Sequence, residues 1–431
     1  MINKFSAITD SINLYSIETK KFKTGILAFN VTMPKSRYLS PYTLILTKMF
    51  EKATKSYPKR IDLSRRADEL YVASTDIRRI GFGKNMILSV SVEMLDEKYC
   101  QNGPVVTKNV CELLKEYILS PLFDDEGNFP EKSFESAKRY SLDLLKATIN
   151  NPGRYASLRI SELLRRDDPD SLSFEETIEA VEKCDRFTLT KFYLENGATR
   201  PIDVYYVGSL SHENLADKLR LVLGDHHATV KDSFIALGDT TTPREVVRKD
   251  ETMSLTQGRL ALGFRCGIYI GDDDYYAALL FDELFGASAS SKLFLNVREK
   301  LSLCYSCGSS YTSTTGNVMA SAGISPKNRE VTESAILNEL ENIKAGRITK
   351  KEFSSAKKAL LNSIREAYDN PCDILEHYLF TNMGGIKLSL DGYLKRISLL
   401  TKEDVIRVAN ATTLDCVYFL CGNKETEAKG E

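Results

Sequence analysis

Two stretches of this 431-residue chain place apolar side chains at helical spacing and then stop at the same dipeptide. Phe134, Ala137, Leu142, Leu145 and Ile149 line one face of a predicted helix, and Phe353, Ala356, Leu360, Leu361 and Ile364 line another. Each stretch runs to Asn-Pro, at Asn151-Pro152 and at Asn370-Pro371. A proline disfavours helical backbone at the residue before it, so both helices are expected to end there. The openings match as well. Phe134-Glu-Ser-Ala-Lys138 recurs as Phe353-Ser-Ser-Ala-Lys357, with 18 residues from Phe to Pro in each copy and an offset of 219 between copies. Four matches in five residues alone can arise by chance; the equal spacing to Asn-Pro makes duplication the better reading.

Other elements fall in the same order in each half. A strand pattern follows a glycine, Gly25–Phe29 and Gly258–Phe264. A helix is expected around Tyr42–Lys55 and around Tyr275–Phe285, then strands around Met86–Val92 and Tyr311–Ile324. A striped helix comes next, with Val106, Val110, Leu113, Leu114 and Tyr117 in one half and Val331, Ala335, Ile336, Leu340 and Ile343 in the other. The repeated helix follows, and each half closes in a strand, Ile202–Val207 and Val417–Leu420. This order predicts an α+β fold of two tandem homologous domains, each a mostly antiparallel sheet with helices on one face. The domains are expected at residues 1–224 and 251–431. A linker is expected over 225–250, where Gly238, Thr240–Thr242, Pro243 and mixed charges cluster, and the polar tail Asn423–Glu431 is expected to fray.

Composition narrows the function classes. A net charge of −1 favours neither nucleic acid nor an anionic membrane. The basic pairs Arg65-Arg66 and Arg165-Arg166 read as solvated faces. Nine scattered cysteines fit reduced thiols better than a disulfide framework. No apolar run approaches the ~20 residues that span a bilayer, and Met1–Asp10 lacks the apolar core and cleavage site of a secretory signal. A cytoplasmic location is expected.

The stretch Ser291–Ser306 reads SKLFLNVREKLSLCYS. It resembles the S-x-L-F-x-x-V-R-E-K-x-G-L-x-Y-S segment in the C-terminal domain of insulinase/pitrilysin-type zinc metallopeptidases. That family is built from duplicated α/β units assembled as half-shells, so the internal repeat supports the resemblance independently. The resemblance implies that Arg298 and Tyr305 bind substrate near the bond to be cut. A fixed guanidinium fork and a phenolic O–H suit an oxygen that gains negative charge during peptide hydrolysis. The bland alternative is that Arg298 caps a helix C-terminus and Tyr305 is a half-buried strand residue. The family's glycine is Ser302 here, so the turn is expected to be altered.

Active members of that family carry H-x-x-E-H on the first helix. The matching helix has Leu44, Thr47 and Lys48 at the His, Glu and His positions, and the third ligand, a Glu, falls at Leu144. Leucine does not ligate zinc, and an ammonium group offers no lone pair and repels the cation. The four histidines, His212, His226, His227 and His377, make no alternative site by their spacing. The resemblance then implies a catalytically silent subunit: no cofactor in this chain, zinc in a homologous peptidase partner, and short or unfolded peptides as substrate. Self-association of the isolated chain is left open. The competing reading is a structural or peptide-binding scaffold with no part in hydrolysis, which a sheet edge can support by strand addition. An independent Ser or Cys hydrolase has little support, since no G-x-S-x-G pattern occurs. Cys304-Tyr-Ser-Cys307 is expected to enter a strand, where residues three apart face opposite ways and oppose a disulfide or chelate. Gly81-Phe-Gly83 and Met383-Gly-Gly385 are turn candidates without a phosphate-loop pattern.

Overall fold

A computed structural model describes residues 2–101, 103–230, 237, 245–255 and 257–422. The chain divides into two compact units, neither contiguous in sequence: Met1–Lys146 with Glu175–Ala236 and Ala367–Met383, and Ala147–Phe174 with Leu237–Glu366 and Gly384–Glu431.

The first unit is built on six strands: β1 (Ile2–Thr9), β2 (Ile12–Glu18), β3 (Thr24–Pro34), β4 (Val72–Phe82), β5 (Asn85–Leu95) and β6 (Ile202–Gly208). Their order is β1-β2-β6-β3-β5-β4. Only β2 and β6 pair in parallel; the other neighbours are antiparallel. Buried Phe29, Phe50, Phe129, Phe134 and Tyr193 belong to one core beneath the sheet. Gly83 closes the β4–β5 hairpin with φ 57°, a conformation that suits glycine. Strand β6 shows why one helical layer is not the whole arrangement. Tyr206 faces the main core, whereas the next ring back, Tyr205, meets Tyr378 edge-on at 5.7 Å and takes a 2.8 Å hydrogen bond from Asn382. Successive strand residues point to opposite faces, so helix Pro371–Met383 covers the face opposite the main layer.

The second unit has β7 (Val247–Met253), β8 (Gly258–Arg265), β9 (Cys304–Thr312), β10 (Asn317–Ile324) and β11 (Thr413–Gly422). The order β7-β11-β8-β10-β9 repeats β2-β6-β3-β5-β4 strand for strand. The parallel pair recurs at the same place, between β7 and β11. Sheet topology thus carries the duplication that Phe134 and Phe353 announced, with β1 as an addition to the first copy.

The Asn-Pro pairs do more than end helices. Helix Glu131–Ala147 is followed by a short 3₁₀ turn, and then Asn151 caps a new helix, Pro152–Leu164, by accepting from the Arg154 N–H at 3.0 Å. Proline at the first helical position loses no hydrogen bond, because that N–H has no partner inside the helix. After helix Lys350–Ala367, Asn370 likewise accepts from Cys372 N–H at 2.8 Å as Pro371 opens the next helix. Helix Pro152–Leu164 belongs to the second unit and helix Pro371–Met383 to the first. Equivalent helices are therefore exchanged, and a single cut at 225–250 does not describe the units.

In the second unit, a Cβ at Gly263 would lie 2.7 Å from Cys416 Sγ and 3.0 Å from Leu164, so glycine admits the close approach of helix Pro152–Leu164. Asp415, 2% exposed, accepts from both terminal nitrogens of Arg166, at 2.6 and 3.2 Å, with Arg265 also at 3.2 Å. Two guanidinium groups around one buried carboxylate offset its lost hydration, and removing one partner of such a pair costs about 3–5 kcal/mol. Arg166 is therefore half-buried and tied to a buried carboxylate, not on the solvated face expected of Arg165-Arg166. Strand β7 begins at Val247, inside the expected linker. Gly238, Thr240–Thr242, Pro243 and the tail from Asn423 lie outside the described residues. Among the described residues no helix is long and apolar enough to cross a membrane.

Candidate functional site

Arg298 lies near the end of a π-helical segment, Leu293–Lys300, and Tyr305 lies at the start of β9. The chain turns between them at Ser302, which adopts φ 53°. Left-handed backbone is strained for a residue with a Cβ, yet it is the conformation a glycine would take there. Ser302 thus holds a positive-φ turn despite its side chain. The Leu303 N–H reaches back to the Val297 carbonyl at 3.3 Å and fixes the return of the chain.

The Arg298 guanidinium carbon sits 4.5 Å from the centre of the Phe294 ring. Its Nε donates to the Tyr305 carbonyl at 3.1 Å, and a terminal nitrogen pairs with Glu299 at 3.4 Å. The Tyr305 side chain is 66% exposed, not half-buried. Arg298, Ser302, Cys304, Tyr305, Ser325 and Asn328 share one concavity of about 410 Å³. Asn328 secures its floor by donating to the Leu303 carbonyl at 3.2 Å. The structure thus brings Arg298 and Tyr305 together. Phe294 and Asn328 were not singled out by sequence. Phe294 sits four residues before Arg298, and that spacing was the available signal.

Leu44, Thr47 and Lys48 occur on helix Leu39–Phe50 of the first unit. Leu44 packs against the core. Thr47 is buried and its hydroxyl donates to the Leu44 carbonyl at 3.0 Å. Lys48 pairs with Glu51 and lies 5.5 Å from the centre of the Tyr140 ring. On helix Glu131–Ala147, the side chains that meet this face include Tyr140 and Ser141, whose hydroxyl lies 3.3 Å from the Leu44 carbonyl. Leu144, one turn beyond Tyr140, is 47% exposed. An aliphatic chain, an ammonium already paired with a carboxylate, and a hydroxyl bound to its own helix do not fit zinc. Among the described residues no group of three or more His, Cys, Asp or Glu side chains is placed to hold a metal ion.

Three of the histidines serve packing, while His227 is exposed. Both ring nitrogens of His212 meet hydroxyls, Ser6 at 2.8 Å and Ser16 at 2.7 Å. His226 bonds the Arg200 carbonyl at 2.9 Å, and His377 lies edge-on to Tyr368 at 5.6 Å. The cysteine pair departs from expectation. Cys304 pairs with Ile324 and Ser306 with Gly323, so Tyr305 is an extra residue bulged from the ladder. The bulge resets the alternation: Cys304 and Cys307 are both buried, and Tyr305 and Ser306 are both exposed. The two thiols share a face instead of opposing each other.

Comparison with known proteins agrees with this arrangement. Residues 185–360 match the family described as Peptidase M16 inactive domain. Over that segment, the chain is similar to M16 peptidase domains of the inactive kind. Over 429 residues it is 26% identical to the probable inactive metalloprotease YmfF of Bacillus subtilis (strain 168), spanning 98% of this chain and 99% of that protein. The uncharacterized zinc protease YmxG of the same organism is 30% identical over 189 residues, 42% of each chain. Among solved structures, a conserved protein from Enterococcus faecalis V583 superposes with a TM-score of 0.89 at 26% identity, over 98% of this chain and 99% of that one. A peptidase M16 inactive domain from Pseudomonas fluorescens gives 0.78 at 17% identity over 98% and 99%, a likeness of fold.

Proposed function

We propose that this chain is the non-catalytic subunit of a two-chain zinc peptidase that cleaves short or unfolded peptides in the cytoplasm. A homologous partner holds the metal, and this chain supplies Arg298 and Tyr305. One observation carries the reading. The Arg298–Tyr305 concavity keeps the donors that peptide hydrolysis needs, while Leu44, Thr47, Lys48 and Leu144 offer no ligand set. Arg298 presents a guanidinium charge, steadied from below by Phe294. Tyr305 adds an exposed O–H on the same concavity. Both groups can bind a peptide carbonyl and oppose the negative charge that grows on it, without carrying out a proton transfer of their own.

The test is to isolate the chain from its native host with any bound homologue, or to mix the two purified chains, and to follow cleavage of an unstructured peptide. Arg298→Ala is expected to lower turnover of the complex about 100-fold, the usual cost of one transition-state donor, while assembly by sedimentation stays intact. Full turnover in the mutant complex, or a partner without zinc ligands, would favour the scaffold reading instead.

A further inference from the structure

Nothing in the proposed peptidase role uses Cys304 and Cys307, yet the bulge at Tyr305 has moved them within reach of each other. We propose that Cys304 and Cys307 form a reversible intrachain disulfide, with low-molecular-weight disulfides as the oxidant.

The register supplies the geometry. Cys304 pairs with Ile324 and Cys307 with Ala322, so the partner strand advances only two residues while β9 advances three. Two residues of strand span about 7 Å, against about 10 Å for three in a regular ladder. Disulfides bridge Cα separations up to about 6.8 Å. A slight tightening of the bulge brings the pair into range, whereas a regular strand would have excluded it. Both cysteines are free thiols and 9% exposed. Cys304 also lines the Arg298–Tyr305 concavity, which gives a small oxidant a route to its sulfur.

The two thiols are not equivalent. The Cys307 S–H beside Cys304 holds the Cys304 thiol below its usual range, with the Arg298 charge adding to the effect. Cys307 is pushed up by the same neighbour and by burial. Thiolate character decides which sulfur attacks. The Cys304 thiolate attacks a disulfide RSSR, joining one RS group as a mixed disulfide and releasing RS⁻. Cys307 then loses its proton and attacks Cys304 Sγ, displacing the second RS⁻. Two protein thiols are oxidised and one RSSR is reduced to two thiols. Closure draws in the bulge that carries Tyr305 and the carbonyl to which Arg298 donates, so the oxidised chain presents that concavity differently.

The experiment uses the purified full chain, with neither partner nor peptide, so its outcome does not depend on the peptidase role. The chain is treated with oxidised glutathione, alkylated after denaturation, and digested with trypsin. Leu301–Lys327 is the tryptic peptide that holds both cysteines. In most molecules it is expected to escape alkylation and to weigh about 2 Da less than its dithiol form, a shift reversed by a dithiol reductant. Cys307→Ser should instead retain glutathione on Cys304, and Cys304→Ser should leave Cys307 alkylatable. A doubly alkylated wild-type peptide, or glutathione retained on wild-type Cys304 without ring closure, would overturn the proposal.

Discussion

Arg298 Nε donates to the main-chain carbonyl of Tyr305, not to its phenol, at 3.1 Å. The guanidinium is thus placed by backbone and by Phe294, and the exposed Tyr305 ring is not what holds it. Tyr305→Phe should keep Arg298 where it is. In complex with the zinc-bearing partner, kcat/KM is expected to fall about 10-fold for Tyr305→Phe and about 100-fold for Arg298→Ala, since a neutral donor contributes less than a charged one. The double variant should lose roughly the product of the two. A Tyr305→Phe loss as deep as that of Arg298→Ala would mean that the phenol also positions the guanidinium.

Ser302 stores strain in the turn between them. Its φ of 53° costs a residue with a Cβ about 1 kcal/mol, which glycine does not incur. Ser302→Gly gives up only a long contact from its hydroxyl to the Glu299 carbonyl, 3.4 Å. The variant is expected to unfold at higher urea, by about 0.5–1 kcal/mol. Ser302→Val should move the midpoint the other way, because a β-branched side chain tolerates left-handed backbone least.

The repeat was legible because its signal is local. Phe134 and Phe353 each open an amphipathic stripe that ends at Asn-Pro, and one face of one helix suffices to record that. The exchange of the helices that follow was not legible, because Pro152 and Pro371 mark where a helix begins and say nothing about which sheet receives it. Arg298 and Tyr305 were found through their spacing within a resembled segment, and both line one concavity. The Cys304–Cys307 face was misjudged for a definable reason. Strand alternation predicts opposite faces unless a residue bulges out, and the bulge at Tyr305 depends on pairing with Gly323 and Ile324 of β10, well downstream in sequence. Arg166 was misplaced likewise: its partner, Asp415, lies far along the chain.

The site chemistry of helix Leu39–Phe50 makes a prediction about metal. A zinc-dependent fold loses stability when a chelator strips the ion. With Lys48 paired to Glu51 and Leu44 packed in the core, the isolated chain is expected to melt at the same temperature with and without EDTA, within about 1 °C. Elemental analysis after dialysis should find well under one zinc per chain, and peptide should remain uncut. Stoichiometric zinc, or an EDTA-induced drop of several degrees, would contradict the assignment of the metal to a partner.

His377 sets a pH dependence in the first unit. Burial on helix Pro371–Met383 lowers its imidazole from 6.5 to about 4. In the unfolded chain the ring keeps its ordinary value and takes up a proton near pH 6.5. Between pH 6.5 and pH 4 the unfolded state therefore binds more protons than the folded one, and stability falls as the pH falls. The contribution is fully present above pH 6.5 and largely lost near pH 4. Its size is about 2 kcal/mol once partial solvent access to the ring is allowed for. Paired carboxylates add their own losses at low pH, so the useful quantity is the difference between wild type and His377→Gln, an uncharged polar replacement. Urea denaturation of both proteins at pH 7.5, 6.0, 5.0 and 4.5 should show the wild-type curve descending more steeply, with the gap opening below pH 6.5. Parallel curves across that range would mean that the ring is protonated in the folded protein as readily as in the unfolded chain.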